Sequence, residues 1–316
     1  MIRNMEPKIV GITGACGLIG GAIGIELKKR GYTVIGLDLV KRKYLMPYFD
    51  SFFNCDFSDI PTFHSGIWDA CDTVIHCAGS SLVGPSNLDP ANYYLNNVAK
   101  TISLLEWCAD NNKHFMFSSS ASVYKSQNRL IIEEDPLRPL SPYARSKVMI
   151  EQVTEDFVKA YKLKATIFRY FNACGALDEA HGQPPGAQHI FPKLFECEDK
   201  FKLNGTDFST RDGSCIRDYI HIIDIAQAHV KAMELKCYGI YNLGSSLGYS
   251  NLEIIKAVNK QYIDVGRREG DTDCLVADNT LAKSILGWSP TTTLPSIIDS
   301  LKRWYNSENY KRLKNG

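Results

Sequence analysis

The chain has 316 residues, about twice the ~150 of a common single domain, so two lobes or one large α/β unit are expected. A composition of 44% hydrophobic and 22% charged residues, with 23 glycines and 13 prolines, is globular and excludes collagen, coiled coil and intrinsic disorder. With 36 basic against 35 acidic side chains the net charge is +1, which gives no electrostatic case for nucleic acid or an anionic membrane and points to a small partner.

In chain order, residues 1–8 alternate charged and apolar side chains and lack the apolar core of a signal peptide. Short apolar runs predict strands over 8–13, 33–38, 51–55, 73–76, 114–118 and 165–170, with helices over 19–30, 60–70, 90–111 and 142–161 between them. Such alternation marks parallel βαβ units with both sheet faces covered, a doubly wound α/β sheet. After Phe171 the grain changes, with Gly, Pro and His concentrated over 175–188 and shorter elements beyond. Ser250-x-x-Glu253 is a capping box opening a helix over 251–262, and Gly287 ends a helix begun near Asn279. The expected organisation is a nucleotide-binding lobe over 1–171 and a smaller α/β substrate lobe over 172–316, with segments crossing back. No run approaches the ~18 apolar residues of a membrane span. The 10 cysteines are scattered without a CxxC pair, as expected of reduced thiols in a cytoplasmic protein.

Three constellations carry chemistry. Thr13-Gly14-Ala15-Cys16-Gly17-Leu18-Ile19-Gly20 lies between the first strand and the first helix, where glycines let a backbone approach a pyrophosphate held by helix amides. Asp38 ends the second strand, where an acidic side chain accepts from ribose hydroxyls and repels a 2′-phosphate, favouring NAD over NADP. Tyr143-x-x-x-Lys147 shares a helix face, and Ser118-Ser119-Ser120 ends the preceding strand. A cation beside a phenol lowers its pKa from ~10 towards neutrality, making Tyr143 a candidate base. Arg217 and the run Arg267-Arg268-Glu269-Gly270-Asp271 offer planar forks suited to a diphosphate, although either is equally a solvated surface charge by itself. Two other patterns carry less. Gly244-Ser245-Ser246-Leu247-Gly248 fits a nucleophile elbow, but the last histidine is His229, upstream of it. His221 and Asp224 have no third ligand at a metal-binding spacing, so no metal is expected.

The spacing Gly14-x-x-Gly17-x-x-Gly20 resembles the extended short-chain dehydrogenase/reductase superfamily, whose fold is Rossmann-like. The wider set of motifs resembles its UDP-glucose/UDP-galactose 4-epimerase family: Thr73-Val74-Ile75-His76-Cys77-Ala78-Gly79, Tyr93-Tyr94-Leu95-Asn96-Asn97-Val98, Phe117-Ser118-Ser119-Ser120, Tyr143-Ala144-Arg145-Ser146-Lys147, Arg169-Tyr170-Phe171-Asn172 and Arg217-Asp218-Tyr219-Ile220-His221. The resemblance implies NAD as cofactor, lined by the three glycines, Leu18, Ile19, Asp38, Ala78, Asn97, Ser118 and Tyr170, with Asp56 and Phe57 at the adenine. It implies Tyr143 as base, Ser120 on the reacting sugar oxygen and Lys147 on the nicotinamide ribose. Asn172, Arg217, Arg268 and Asp271 correspond to positions that grip UDP, Ser122, His189 and Ile190 to further substrate contacts, and Leu275 to the gate for the sugar's C2 substituent.

The implied reaction is transient oxidation of a UDP-sugar at C4, rotation of the 4-keto sugar and hydride return to the other face. UDP-glucose and UDP-galactose are the favoured pair, with N-acetylated sugars next. Relatives that dehydrate or decarboxylate carry an acid right after the serine or threonine, where this chain has Ala121 and Ser122. An NAD(P)H-dependent keto-sugar reductase, a UDP-glucuronate or pentose 4-epimerase and a non-catalytic dinucleotide sensor are the alternatives. The resemblance also implies a homodimer formed by the helices over 90–111 and 142–161.

Overall fold

A computed structural model describes residues 8–62, 66–268 and 271–315. Residues 1–7, most of the stretch without a leader pattern, lie outside the described residues. So do residues 63–65 within the helix expected over 60–70, and Glu269 and Gly270 of the arginine run.

Strands run in chain order as β1 (Ile9–Thr13), β2 (Thr33–Leu37), β3 (Ser51–Phe53), β4 (Thr73–His76), β5 (His114–Ser120), β6 (Lys164–Tyr170), β7 (Asn172–Cys174), β8 (Phe201–Leu203), β9 (Ile216–His221), β10 (Gly239–Leu243), β11 (Gly248–Ser250), β12 (Tyr262–Asp264) and β13 (Cys274–Leu275). The main helices are α1 (Leu18–Lys29), α2 (Lys100–Asp110), α3 (Pro142–Tyr161), α4 (Ile190–Glu196), α5 (Ile222–Leu235), α6 (Asn251–Ala257), α7 (Thr280–Leu286) and α8 (Leu294–Asn306). A seven-stranded sheet has the order β10-β6-β5-β4-β1-β2-β3, and the pairs from β3 across to β5 are parallel. The order reverses direction at β1, as in a Rossmann-like doubly wound sheet.

Opposite parity along β1 shows both faces covered. Ile9 packs against the core cluster that includes Leu104, Leu105 and Ile150 of α2 and α3, while Ile12 lies 3.7 Å from where a Cβ on Gly24 of α1 would stand. Leu105 and Ile150 belong to this core at 0% and 2% exposure, whereas Leu95 and Ile102 of the same predicted helical stretches are 64% and 40% exposed.

The chain divides into two compact units. The first comprises Met1–Val123, Pro139–Arg169 and Ala226–Tyr241; the second comprises Tyr124–Arg138, Tyr170–Ile225 and Asn242–Gly316. In the second, β7, β11 and β13 all pair with β9, and β12 pairs with β8. Its core gathers Phe191, Leu203, Tyr219, Ile254, Ile297 and Leu301 from α4, α6, α8 and these strands.

Three expected helices differ. Over 60–70 there is a 3-10 turn, Phe57–Thr62, and a single α turn, Gly66–Asp69; the turn starts at Phe57, and an α-helix running on from there would put Pro61, which lacks an N–H, in its interior. The 251–262 helix opens on its capping box but stops at Ala257, because Asn259 adopts φ 57° and turns the chain into β12. The 90–111 stretch is helical but contains a π-helical segment, Tyr94–Ala99, a variant that periodicity does not distinguish.

Helix α3 is tied to the sheet by a buried ion pair. Glu151 accepts from Arg169 of β6 at 3.1 Å (Nε) and 2.6 Å (Nη2) and from the Ser119 hydroxyl of β5, with both charged side chains no more than 4% exposed. Removing one partner of such a pair strands a buried charge, which costs about 3–5 kcal/mol. Glu151→Gln is therefore expected to lower the unfolding free energy by about that much, and Glu151→Gln with Arg169→Met to recover part of it. Urea unfolding measures both; a loss under about 1 kcal/mol in the single variant contradicts the assignment.

Candidate active site

The glycine loop is shaped by contacts that only glycine permits. Gly14 has φ 70°, and a Cβ there would stand 2.6 Å from the Ala78 amide nitrogen; a Cβ on Gly20 would stand 2.2 Å from the Gly14 carbonyl oxygen. Helix α1 then begins at Leu18 with Gly17 as N-cap, no side-chain cap and no acidic residue in its first turn. No side chain of the first turn opposes the positive end of its dipole, which suits a pyrophosphate. Leu18 and Ile19, in that first turn, are half-buried.

Just past β2, the Asp38 carboxylate accepts from the Cys16 amide at 2.9 Å and the Val40 amide at 2.9 Å. Two backbone donors thus aim it while leaving acceptor capacity for ribose hydroxyls. Asp56 accepts from the Ser58 amide and hydroxyl at 2.9 and 2.8 Å and pairs with Lys100 at 2.5 Å. Phe57 is buried, its ring edge-on to His76 at 4.7 Å. These residues fit a dinucleotide carrying free ribose hydroxyls.

β5 runs through Ser120, two residues beyond the expected end, so Ser118, Ser119 and Ser120 all belong to the strand. Helix α3 opens with Ser141 as N-cap, accepting from Ala144 at 3.1 Å, and Pro142 in the first turn. This places Tyr143 in the first turn and Lys147 one turn on. The Lys147 side chain is inside the protein, its ammonium donating to the Ser118 carbonyl at 2.8 Å and lying 4.7 Å from the Phe117 ring centroid and 5.8 Å from that of Tyr143. Burial pushes the Lys147 pKa down to about 8.

The structure alters one electrostatic expectation. Burial pushes the Tyr143 phenol above its ordinary value, and the group that pulls it down is the Ser120 hydroxyl rather than the Lys147 charge. Ser120 Oγ accepts from the Ser122 amide at 3.2 Å and the Ser122 hydroxyl at 2.9 Å. Its own proton is thereby available to the phenol oxygen.

In the second unit, Arg217 of β9 donates to the carbonyls of Ile216 at 2.9 Å and Thr272 at 2.8 Å. Asp271 pairs with Arg268 at 2.7 Å and with Arg217 at 3.9 Å, giving two guanidiniums on one carboxylate. Leu275 of β13 sits opposite Arg217 in register, and Asn172 of β7 opposite Tyr219. His189 and Ile190 stand at the start of α4, and His189 is exposed. Tyr170, at the end of β6, is buried.

The structure brings together Ser118, Ser120, Ser122, Tyr143 and Lys147 in the first unit, and Arg217, Arg268, Asp271 and Leu275 in the second. Sequence reasoning missed two supports. Glu151 lies eight residues after Tyr143, on the same helix face, and that spacing was its signal. His76, the last residue of β4, carries no pattern beyond its strand. The Gly244–Gly248 stretch wraps a buried carboxylate: Asp218 accepts from the Ser245 amide at 2.7 Å, the Ser246 amide at 3.0 Å and the Ala277 amide at 3.1 Å. His221 accepts from the Ile223 amide at 3.0 Å, and Asp224 accepts from the Thr291 and Thr292 amides at 3.0 and 3.2 Å. All ten cysteines are free thiols. Among the described residues no helix is long and apolar enough to cross a membrane.

The chain and its fold are similar to those of known proteins. Residues 10–244 match the model of the NAD dependent epimerase/dehydratase family. A UDP-glucose 4-epimerase of Lactobacillus helveticus is 36% identical over 319 residues, covering 94% of this chain and 96% of that protein. One from Drosophila melanogaster is 34% identical, with 95% and 97% covered. Among solved structures, UDP-glucose 4-epimerase from Bifidobacterium longum in complex with NAD+ and UDP is similar with a TM-score of 0.84 and 30% identity, over 94% of this chain and 98% of that one. The Stenotrophomonas maltophila enzyme with bound NAD and formylated UDP-arabinopyranose has a TM-score of 0.88 and 27% identity, over 98% of this chain and 100% of that one. The chain belongs to the NAD dependent epimerase/dehydratase family.

Proposed function

We propose that the protein is an NAD-dependent UDP-sugar 4-epimerase that interconverts UDP-glucose and UDP-galactose through a 4-keto sugar. The observation that carries this reading is the Ser120–Tyr143–Lys147 group at the end of β5 and start of α3, in the same unit as the glycine loop. Within a family that includes dehydratases, the residues after Ser120 decide against dehydration: Ala121 is buried and Ser122 is spent on Ser120, so no acid stands there.

NAD, when bound, supplies a hydride acceptor that returns the same hydride. The chain's own residues do the rest. Tyr143 acts as its phenolate, which the Ser120 hydroxyl favours against the effect of burial by donating to the phenol oxygen; it takes the proton of the sugar 4-hydroxyl and later gives it back. Lys147 contributes a desolvated cation to the nicotinamide ribose. Gly14, Gly17, Gly20, Leu18 and Ile19 hold the pyrophosphate end, Asp38 the adenosine ribose, and Asp56, Ala78, Asn97, Ser118 and Tyr170 the remaining cofactor surface. Asn172, His189, Ile190, Arg217, Arg268 and Asp271 hold the UDP moiety, and Leu275 limits the C2 substituent. Binding energy spent on the nucleotide rather than the sugar leaves the sugar free to turn. We further read the exposed Leu95, Ile102 and Met149 as part of a homodimer face, and the ten free thiols as those of a cytosolic protein.

Tyr143→Phe is expected to lower interconversion of UDP-glucose and UDP-galactose by about 10²–10⁴-fold, with NAD binding kept. Product analysis by NMR checks it, and an undiminished rate removes Tyr143 from the reaction. UDP-galactose is the expected product from UDP-glucose, with slower turnover of UDP-N-acetylglucosamine and none of UDP-glucuronate; the reverse ranking overturns the substrate assignment. Asp38→Ser is expected to shift the NAD-to-NADP affinity ratio towards NADP by about tenfold or more. An unchanged ratio, measured by calorimetry, contradicts the role given to Asp38.

A further inference from the structure

His76 is 1% exposed and sits at the end of β4, with Phe57 edge-on at 4.7 Å and the Phe117 ring stacked at 6.0 Å. Its two ring nitrogens meet two threonines that are themselves fully buried. Nδ1 lies 2.7 Å from Thr13 Oγ1 at the end of β1, and Nε2 lies 3.0 Å from Thr101 Oγ1 on α2. No part of the mechanism uses it.

The direction of each hydrogen bond follows by elimination. The Thr101 hydroxyl has one proton, and it is donated to the Asn97 carbonyl at 2.6 Å. Thr101 Oγ1 can then only accept from His76, which requires Nε2–H. Burial, with the Lys147 ammonium adding to it, pushes the imidazole pKa down to about 3, so the ring is neutral and Nδ1 is an acceptor. Thr13 must therefore donate to Nδ1, and its oxygen accepts from the Ala78 amide at 3.4 Å. The far end continues. Asn97 accepts from the Ser80 amide at 2.7 Å and donates to the Ser80 carbonyl at 2.9 Å and to Ser146 Oγ at 3.0 Å. Ser146 in turn donates to the Tyr143 carbonyl at 2.7 Å.

We propose that His76 is a positioning residue: a neutral Nε2–H imidazole whose fixed tautomer sets a one-way hydrogen-bond chain from the Ala78 amide, beside the glycine loop, to Asn97 and the first turn of α3. The chain ties the cofactor loop to the helix bearing Tyr143 and Lys147, and a reversed tautomer would set two acceptors against each other at Thr101 and two donors at Thr13. This inference rests on the NAD-binding reading of the loop.

Two measurements test it. Long-range 15N–1H correlation on the ¹⁵N-histidine-labelled holoenzyme is expected to show His76 protonated at Nε2 and bare at Nδ1, unchanged from about pH 6 to about pH 9. Lys147 is the charged group acting on the ring, and its own titration near 8 is not expected to reverse the tautomer. Thr101→Val keeps the shape and removes the acceptor; it is expected to weaken NAD binding about tenfold, while Thr101→Ser stays within about twofold of the parent. An Nδ1-protonated or doubly protonated ring, an unweakened Thr101→Val, or a Thr101→Ser as weak as Thr101→Val each overturns the proposal. If the parent protein itself fails to bind NAD, the cofactor reading fails instead, and the tautomer still decides whether the chain runs as described.

Discussion

A buried ammonium sets the terms for the first unit. Lys147 is 6% exposed, and the drop of its pKa from 10.5 to about 8 corresponds to roughly 3 kcal/mol spent on keeping it charged there. Local partners keep that cost from being larger: the Ser118 carbonyl, the faces of Phe117 and Tyr143, and the Glu151 carboxylate one turn along the helix. Each comes from an element whose placement is set for other reasons, β5 by its parallel pairing with β4 and α3 by its apolar face on the same sheet. The sheet thus brings the strand end, the helix start and the cation together.

The second unit relies on two carboxylates, Asp218 and Asp271. Asp218 collects backbone donors from the 245–246 turn and from Ala277, and this pins the chain just beyond β13, where Leu275 faces Arg217. Asp271 keeps two guanidiniums close while taking up only part of their donors. The Asp271 arrangement alone fixes cations, and fixing the two guanidiniums in advance lowers the ordering cost of any group that binds them.

Much of this was legible in the residues. The strands over 8–13, 33–38, 73–76 and 165–170 are found within one residue at each end, because buried parallel strands are short continuous apolar runs. The glycine loop was legible from its place between a strand and a helix, and Tyr143 and Lys147 from helix spacing. What escaped depends on single residues overriding a pattern. Asn259 ends a helix by entering the left-handed region, and Pro61 favours a 3-10 turn where periodicity suggested an α-helix. The effect on Tyr143 also escaped, because spacing locates a cation without saying which carbonyl it will choose or how far burial will push the phenol. Hydrogen-bond direction at His76 follows from two hydroxyls sixty-three and twenty-five residues away, and no local pattern encodes that.

The fate of the hydrogen on C4 bears most directly on the account as a whole. If one hydride leaves the sugar and the same hydride comes back, interconversion of UDP-glucose and UDP-galactose run to equilibrium in heavy water gives both sugars with no deuterium at C4, as read by NMR. Deuterium at C4 would mean that the carbon loses a proton to solvent, and the chemistry assigned to Tyr143, Ser120 and Lys147 would be wrong.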